Sequence, residues 1–171
     1  MIKADFGYDF PFDADSRVYH PGLAGGALLD VGIYPINFSR MIFRKDPVEI
    51  RSVATIGTTG VDEQSAYLFR YPEGGISLMH SAVNLETRHE AWIYGSKGHI
   101  HVPRFYCPSK FHVSLSSGQE KTHEVPFLST GYSYEAEEVM GCLQKGQTES
   151  GIMPLNESLK IMEMMDSMRK T

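Results

Sequence analysis

The middle of the chain, from Val48 to about Val125, is a succession of extended segments separated by turns. β-branched and alternating stretches predict six strands in this block, at residues 48–57, 64–72, 75–84, 88–95, 98–103 and 110–116. The turns at Glu73-Gly74-Gly75 and at Gly95-Ser96-Lys97-Gly98 are too short to hold a crossover helix. Consecutive strands joined by such turns pair antiparallel, so the block predicts one antiparallel sheet.

A strand and a helix precede this block, and two helices follow it. We predict a strand at 2–8, a loop at 9–24, and helices at 26–43, 132–145 and 155–170. Pro35 lies inside the first predicted helix and removes a backbone donor, so we expect a kink or a shifted start there. This order of elements indicates an α+β fold, with an open, mainly antiparallel sheet of six or more strands and helices packed on one face.

Apolar residues recur with helical spacing in the two C-terminal helices, as is typical of helices that pack against a domain. In 132–145 they are Ala136, Val139, Met140 and Leu143, and in 155–170 they are Leu155, Leu159, Met162 and Met165.

The predicted strands give the sheet two faces of different composition. One face is aliphatic, and we expect it to pack against the helices; it holds Ala66, Leu68, Ile76, Leu78, Ala91, Ile93, Ile100, Val102, Val113 and Leu115. The other face is aromatic and carries Tyr67, Phe69, Tyr71, Trp92, Tyr94, His99, His101 and His112. Such residues are enriched at protein interfaces, so we expect a homodimer through this face. A solvated face with scattered rings is the alternative.

The segment Gly25-Gly26-Ala27-Leu28-Leu29-Asp30-Val31-Gly32-Ile33-Tyr34 places a carboxylate and a phenol four residues apart near a helix start. Positions i and i+4 share one helix face, so Asp30 and Tyr34 can point at the same spot. A phenol can exchange a proton with a substrate hydroxyl, and a carboxylate can hold one. Spacing alone is better explained by a carboxylate at a helix start and a half-buried core tyrosine.

A tyrosine needs help to act as a base near neutral pH. Its reference pKa is about 10, and lowering that value by about three units requires roughly 4 kcal/mol of stabilisation of the phenolate. A neighbouring cation or several aimed donors would supply this, whereas the anion Asp30 raises the pKa of Tyr34.

This segment, together with Arg17, Pro21 and Leu23, closely resembles a signature of the glucose–fructose oxidoreductase and inositol dehydrogenase family, also written Gfo/Idh/MocA. The likeness extends along nearly the whole chain, at Gly60-Val61-Asp62-Glu63, the strand pair 64–84, the segment Ile93 to Ile100, Gly131-Tyr132 with Glu135, and Pro154 with Glu157-Ser158. It implies the C-terminal domain of such an enzyme, whose open sheet forms one wall of the active site and often pairs sheet to sheet in dimers.

The resemblance also implies roles for three residues. Tyr34 would be the proton donor or acceptor, and Asp30 would orient the substrate beside it. Arg17 would lie at the rim of the pocket and contribute to substrate binding, although a loop arginine paired with a nearby aspartate explains it as well. The substrate would be a sugar, a cyclitol or a diol.

No glycine-rich dinucleotide fingerprint and no Glu-Lys-Pro motif is found in the sequence, although members of the family begin with a Rossmann domain that carries both. We therefore expect residues 1–171 to form a single C-terminal substrate-binding and dimerisation domain without its N-terminal cofactor domain. The complete enzyme would use NAD or NADP, and neither is expected to bind tightly to this chain alone. Met1 would then be an internal methionine, or the chain a truncated frame.

Two functions remain open at this point. The first is the substrate-binding and oligomerisation domain of an NAD(P)-dependent oxidoreductase, inactive alone. The second is a non-catalytic, self-associating domain that binds a small polyol.

Composition excludes other classes. A net charge of −5 and the lack of a basic run argue against nucleic-acid binding, and the apolar runs are too short to cross a membrane. The sequence has two cysteines and no apolar signal region at its start. Both observations favour reduced thiols in a cytoplasmic protein. His99, His101 and His112 could bind zinc, but such residues are more often interface histidines, so we predict no metal site.

Overall fold

A computed structural model describes residues 1–128 and 130–170. Its eight strands are β1 (Ile2–Gly7), β2 (Glu49–Ile56), β3 (Asp62–Arg70), β4 (Ile76–Ala82), β5 (Ala91–Gly95), β6 (Gly98–Val102), β7 (Lys110–Leu115) and β8 (Glu120–Glu124). Its three α-helices are α1 (Ile33–Phe43), α2 (Ser133–Gln144) and α3 (Leu155–Met168). Every predicted strand and helix is present.

The strands form one open sheet in the order β2-β3-β4-β1-β5-β6-β7-β8. The first strand of the chain therefore lies in the middle of the sheet, parallel to β4 and antiparallel to β5. All other neighbours pair antiparallel. The predicted α+β class, with an open and mainly antiparallel sheet, is confirmed.

The strand β8 was not predicted from the sequence. Its residues, Glu-Lys-Thr-His-Glu, include no large apolar side chain, so they give no hydrophobic signal. A polar strand is suited to an edge, where charged side chains discourage pairing with other chains.

The first predicted helix begins as a π-turn, Leu28–Gly32, which leads directly into α1. Pro35 lies at the third position of α1 and has no N–H to donate one turn back, so a regular hydrogen-bond ladder cannot pass through it. The change of helical type just before Pro35 agrees with the predicted disturbance. It also means that Asp30 lies on a π-turn, a feature frequent at functional sites.

The predicted assignment of the sheet faces is wrong for β3 and β4. Tyr67, Phe69 and Tyr71 are buried beneath α1, whereas Leu68 and Leu78 are 42% and 50% exposed. Register explains this result: Lys3 in β1 is paired with Leu78 on one side and with Trp92 on the other, and partners across a ladder share a face. The aliphatic residues of β3 and β4 thus share the open face with the aromatic residues of β5 and β6.

Hydroxyl groups allow these tyrosines to be buried. The Ser39 Oγ of α1 is 2.7 Å from the Tyr71 Oη and 2.6 Å from the Ser77 Oγ. The Tyr67 Oη is hydrogen-bonded to the Ser81 Oγ. Because each buried phenol has a partner, the large rings can fill the space between α1 and the sheet at little cost.

The prediction of which helix faces pack against the domain is also largely wrong. In α3 the residues that pack are Ile161, Met164, Met165 and Met168, whereas the predicted Leu155, Leu159 and Met162 are exposed. In α2 no side chain is buried. Within residues 1–128 and 130–170, no helix is long and apolar enough to cross a membrane.

The contact between the π-turn and the sheet predicts a strong effect of one added methyl group. A Cβ at Gly32 would lie 2.6 Å from the Tyr67 Oη and 3.0 Å from the Ser81 Oγ. Gly32→Ala should therefore lower the free energy of unfolding by about 1–3 kcal/mol, measured by urea denaturation. Gly141→Ala is the matched control, because a Cβ there meets no atom within 4 Å. The Gly141→Ala variant should be as stable as the parent or more stable. An equal loss of stability in both variants would contradict the close contact at Gly32.

Candidate active site

Asp30 and Tyr34 lie on the wall of one open groove of about 1240 Å³. The groove runs between α1, the loop at residues 105–106 and the segment 151–160. Tyr34 is 43% exposed, so its ring is partly accessible from the groove. The sequence prediction that the two side chains share one surface therefore agrees with the structure, and that surface is open.

The start of the π-turn is held by a carboxylate from the sheet. The Leu28 N–H donates to the Asp62 Oδ2 at 2.7 Å, and the Ser65 hydroxyl donates to the same oxygen at 2.5 Å. Gly26 is required here because a Cβ would collide with the Asp62 carboxylate. Burial raises the pKa of Asp62. The amide at this helix start is thus already satisfied, so the glycines before it do not form a phosphate cradle.

Arg17 forms an ion pair with Asp30, its Nη2 lying 2.5 Å from the Oδ1. The side chain of Arg17 is 59% exposed and that of Asp30 is 11% exposed. The two interpretations of Arg17 are therefore compatible, since the aspartate with which this loop arginine pairs is the candidate site residue. The pair holds one Asp30 oxygen toward the loop.

Aromatic rings surround the Tyr34 side chain. The Phe6 ring contacts Tyr34 edge-on, with centroids 4.8 Å apart, and stacks on Tyr106 at 4.6 Å. We call this set the aromatic wall: Phe6, Tyr8, Tyr34, His89, Phe105 and Tyr106. Of this set, Tyr34, Phe105 and Tyr106 line the groove, and their rings favour a ligand with an apolar face, such as the C–H face of a sugar or a planar ring.

Polar groups hold the aromatic wall in place. The Arg104 Nη2 donates to the Tyr106 Oη at 3.1 Å, and Tyr106 is hydrogen-bonded to Tyr8. The His89 Nε2 lies 2.6 Å from the carbonyl oxygen of Gly7. These contacts restrict the orientations of the rings in the aromatic wall.

The environment of Tyr34 keeps its phenol protonated. Burial raises the pKa of Tyr34, and the nearby Tyr132, Asp30 and Glu135 raise it further. The sequence prediction that Asp30 raises this pKa is confirmed in direction. A raised pKa makes Tyr34 better suited to donate a proton than to accept one.

The far end of the groove is closed by a charge cluster between α1 and α3. Arg40 is buried and is paired with Glu157 in a bidentate contact whose Nη2–Oε2 distance is 2.8 Å. Its Nη1 donates to the Asp46 Oδ1 at 2.8 Å, and the Lys160 Nζ lies 3.2 Å from the Asp46 Oδ2. Each of these charges has a partner, so the cluster joins the two helices.

The three histidines considered for zinc lie away from the groove, on the open face of the sheet. His101 stacks on Trp92 with centroids 4.0 Å apart, and the His112 Nδ1 lies 2.9 Å from the Thr122 Oγ1. Among residues 1–128 and 130–170, no group of three histidine, cysteine or acidic side chains is arranged to hold a metal ion.

Sequence reasoning missed most of the aromatic wall. A signal was present in the alternation of Phe6, Tyr8 and Phe10, which places three rings on one side of an extended segment. Their proximity to Tyr34 and Tyr106 depends on the central position of β1 in the sheet, which no local pattern reveals.

Comparison with known proteins identifies the family. The profile of the GFO/IDH/MocA C-terminal domain matches residues 1–101. The chain belongs to this family. The likeness inferred from the segment around Asp30 and Tyr34 is thereby confirmed.

Curated relatives are dehydrogenases about twice as long. The chain is 32% identical over 179 residues to the trans-1,2-dihydrobenzene-1,2-diol dehydrogenase of Mus musculus, a match that covers 99% of this chain and 52% of the relative. It is 32% identical over 188 residues to the D-xylose 1-dehydrogenase (NADP(+)) of Hypocrea jecorina, covering 96% and 48%. The chain thus spans about half the length of the curated relatives it matches.

A solved structure shares the fold at low sequence identity. The aldose-aldose oxidoreductase of Caulobacter crescentus, complexed with glycerol, has a TM-score of 0.85 and 20% identity. That match covers 99% of this chain and 52% of the other. At this identity the likeness shows the fold alone.

The Arg40–Glu157 pair predicts a pH-dependent contribution to stability. Arg40 holds the pKa of Glu157 below its usual range, so the pair stabilises the fold above about pH 4 and the contribution is lost as the pH falls. Glu157→Gln should therefore lower the free energy of unfolding by about 1–2 kcal/mol at neutral pH. The difference from the parent should shrink on acidification, as followed by urea denaturation.

Glu73→Gln is the control for this prediction. Glu73 also pairs with a cation, Lys45, but its side chain is largely exposed, so its loss should not measurably change stability. A deficit in Glu157→Gln that is the same at acidic and neutral pH would contradict the role of the charge.

Proposed function

We propose that residues 1–171 form the substrate-binding domain of an NAD(P)-dependent oxidoreductase that acts on a hydroxyl of a sugar, cyclitol or diol. The observation that carries this proposal is the placement of the Tyr34 phenol and the Asp30 carboxylate on the wall of one open groove, beside an aromatic wall. The relatives support it, since the mouse protein is named for a diol and the Hypocrea protein for a sugar.

The chain's own residues supply binding and proton transfer. Asp30, fixed by Arg17, accepts a hydrogen bond from a substrate hydroxyl. The protonated Tyr34 donates its proton to the oxygen of a carbonyl substrate, which becomes the hydroxyl of the product. The aromatic wall covers the apolar face of the substrate. A nicotinamide cofactor, when bound, supplies or accepts the hydride.

The paired glycines before the π-turn do not fit a dinucleotide phosphate. The helix start that follows Gly25 and Gly26 is capped by Asp62, which occupies the place that a phosphate would need. Activity therefore requires a second, cofactor-binding half, and the relatives are long enough to contain one.

We also propose that the open face of the sheet forms a homodimer. On this face, β2, β3 and β4 carry aliphatic residues, and β5, β6 and β7 carry a row of stacked aromatic residues. The aliphatic residues are Val53, Leu68, Ile76 and Leu78, and the aromatic row is Tyr94, Trp92, His101 and His112. Exposed aliphatic and aromatic side chains gathered on one face of a folded domain are typical of an interaction site.

Replacement of the phenol tests the catalytic role. A hybrid enzyme is made in which this chain replaces the matched half of the mouse dihydrodiol dehydrogenase. In it, Tyr34→Phe should reduce turnover of trans-1,2-dihydrobenzene-1,2-diol by on the order of 100-fold or more. Tyr134→Phe is the control, because its exposed phenol only accepts a bond from the Leu128 N–H and its loss should leave turnover unchanged. Full turnover in Tyr34→Phe would remove Tyr34 from the mechanism.

Charge on the open face tests the dimer. Leu68 and Leu78 lie opposite each other in β3 and β4. The chain should sediment as a dimer at micromolar concentration, and Leu68→Glu with Leu78→Glu should reduce it to the 19.2 kDa monomer, because like charges would meet across the interface. Ile152→Glu, which alters an exposed apolar residue outside the sheet, should leave the dimer intact. A monomeric parent chain would contradict the proposal.

A further inference from the structure

Three histidines lie side by side on the open face of the sheet. Register pairs Trp92 of β5 with His101 of β6, and His101 with His112 of β7, so these side chains follow one another across three strands. The centroid of the His101 ring is 4.0 Å from that of Trp92 and 5.7 Å from that of His112. The His99 ring is 5.6 Å from Trp92 and 6.0 Å from Tyr94. We call His99, His101 and His112 the histidine row.

One carboxylate lies beside the histidine row. The Glu90 Oε2 is 3.2 Å from the His101 Nε2 and accepts a hydrogen bond from the Trp92 Nε1 at 3.3 Å. Within residues 1–128 and 130–170, no carboxylate lies within 4 Å of the ring nitrogens of His99 or His112. A proton on His101 is thus matched by a neighbouring anion, whereas protons on His99 and His112 are not.

Other ionisable groups share this face of the sheet. By register they are the amino group of Met1, Lys3 and Asp5 of β1, Glu49 and Arg51 of β2, Arg70 of β3, His80 of β4, Tyr94 of β5, Lys110 of β7, and Glu120 and Glu124 of β8. Between about pH 5 and pH 7, histidine is the side chain whose charge changes to a large extent. Acidification in this range therefore adds positive charge to the face, mainly at the histidines.

Two-fold symmetry allows two arrangements for copies that pair through this face and are centred on β1. If the axis runs along the strands, the histidine row of one copy faces Leu68 and Leu78 of the other, and these side chains exclude water from it. If the axis runs across the strands, the two histidine rows face each other. A proton on the row is unfavourable in both cases, because it is buried against apolar groups in the first and meets like charges in the second.

We propose that the histidine row makes the homodimer sensitive to pH, so that two copies associate near neutral pH and separate when His99 and His112 become protonated. The inference rests on the proposed homodimer. The separated copies bind protons more readily than the dimer does, and by linkage a fall in pH shifts the equilibrium toward the monomer. The groove with Asp30 and Tyr34 lies on the other face of the sheet, so separation leaves its residues in place.

Sedimentation velocity of the chain tests this switch. The dissociation constant of the parent dimer should increase by about tenfold or more between about pH 7 and about pH 5. His99→Gln with His112→Gln should remove most of this change, because glutamine is polar but does not take up a proton. His123→Gln is the matched control. His123 stacks on Phe111 on the opposite face of the sheet, so this variant should respond to pH as the parent does.

The possible results separate the switch from the dimer. A dimer of equal strength at both pH values would overturn the switch and retain the homodimer, whereas a parent that is monomeric at about pH 7 would overturn both. An undiminished pH effect in His99→Gln with His112→Gln would also overturn the switch. Unfolding of the parent at about pH 5, seen by circular dichroism, would assign the separation to loss of the fold and overturn it too.

A second measurement applies if the double variant is already monomeric near neutral pH. The histidine C2–H resonances of the parent are then followed against pH by NMR at two protein concentrations. Titration midpoints that fall as the concentration rises would support the switch, because the dimer resists protonation. Midpoints that do not depend on concentration would overturn it.

Discussion

The close approach of the π-turn to the sheet at Gly32 determines the position of every candidate site residue. A glycine is needed because the Tyr67 and Ser81 hydroxyls lie where a Cβ would be. The Asp62 carboxylate holds the beginning of the same turn through the Leu28 N–H. Asp30 and Tyr34 lie on either side of Gly32 in the sequence, so these contacts position both residues.

The local sequence pattern was sufficient to predict most strands and helices of this fold. It was not sufficient to predict which face of the sheet or helix each side chain occupies. The strands from β1 to β7 each carry enough β-branched or aromatic residues to be recognised, whereas β8 is polar and gives no such signal. The faces of β3 and β4 were reversed because burial was equated with aliphatic character. Tyr67 and Tyr71 show the reason for the error, since a serine partner for each phenol makes the aromatic side the buried one.

The candidate site shows a similar division between local and long-range information. Asp30 and Tyr34 could be found because their spacing is local and because the segment around them is distinctive. The rest of the aromatic wall comes from Phe6 and Tyr8 at the end of β1, from Phe105 and Tyr106, and from His89, which the topology brings together across most of the chain. The pKa of the Tyr34 phenol is raised by burial and by the nearby Tyr132, Asp30 and Glu135, a combination that only the folded structure reveals.

The central position of β1 has a consequence for how this domain tolerates change at its amino end. Terminal residues are ordinarily the most dispensable part of a domain. Here they join the three-stranded portion β2-β3-β4 to the four-stranded portion β5-β6-β7-β8, and Phe6 of the same strand supports the Tyr34 ring. Trimming this strand would separate two half-sheets and remove the support of the Tyr34 ring in one step. Any polypeptide connected ahead of residue 1 is therefore anchored at the middle of the sheet, and not on a loose tether at its rim.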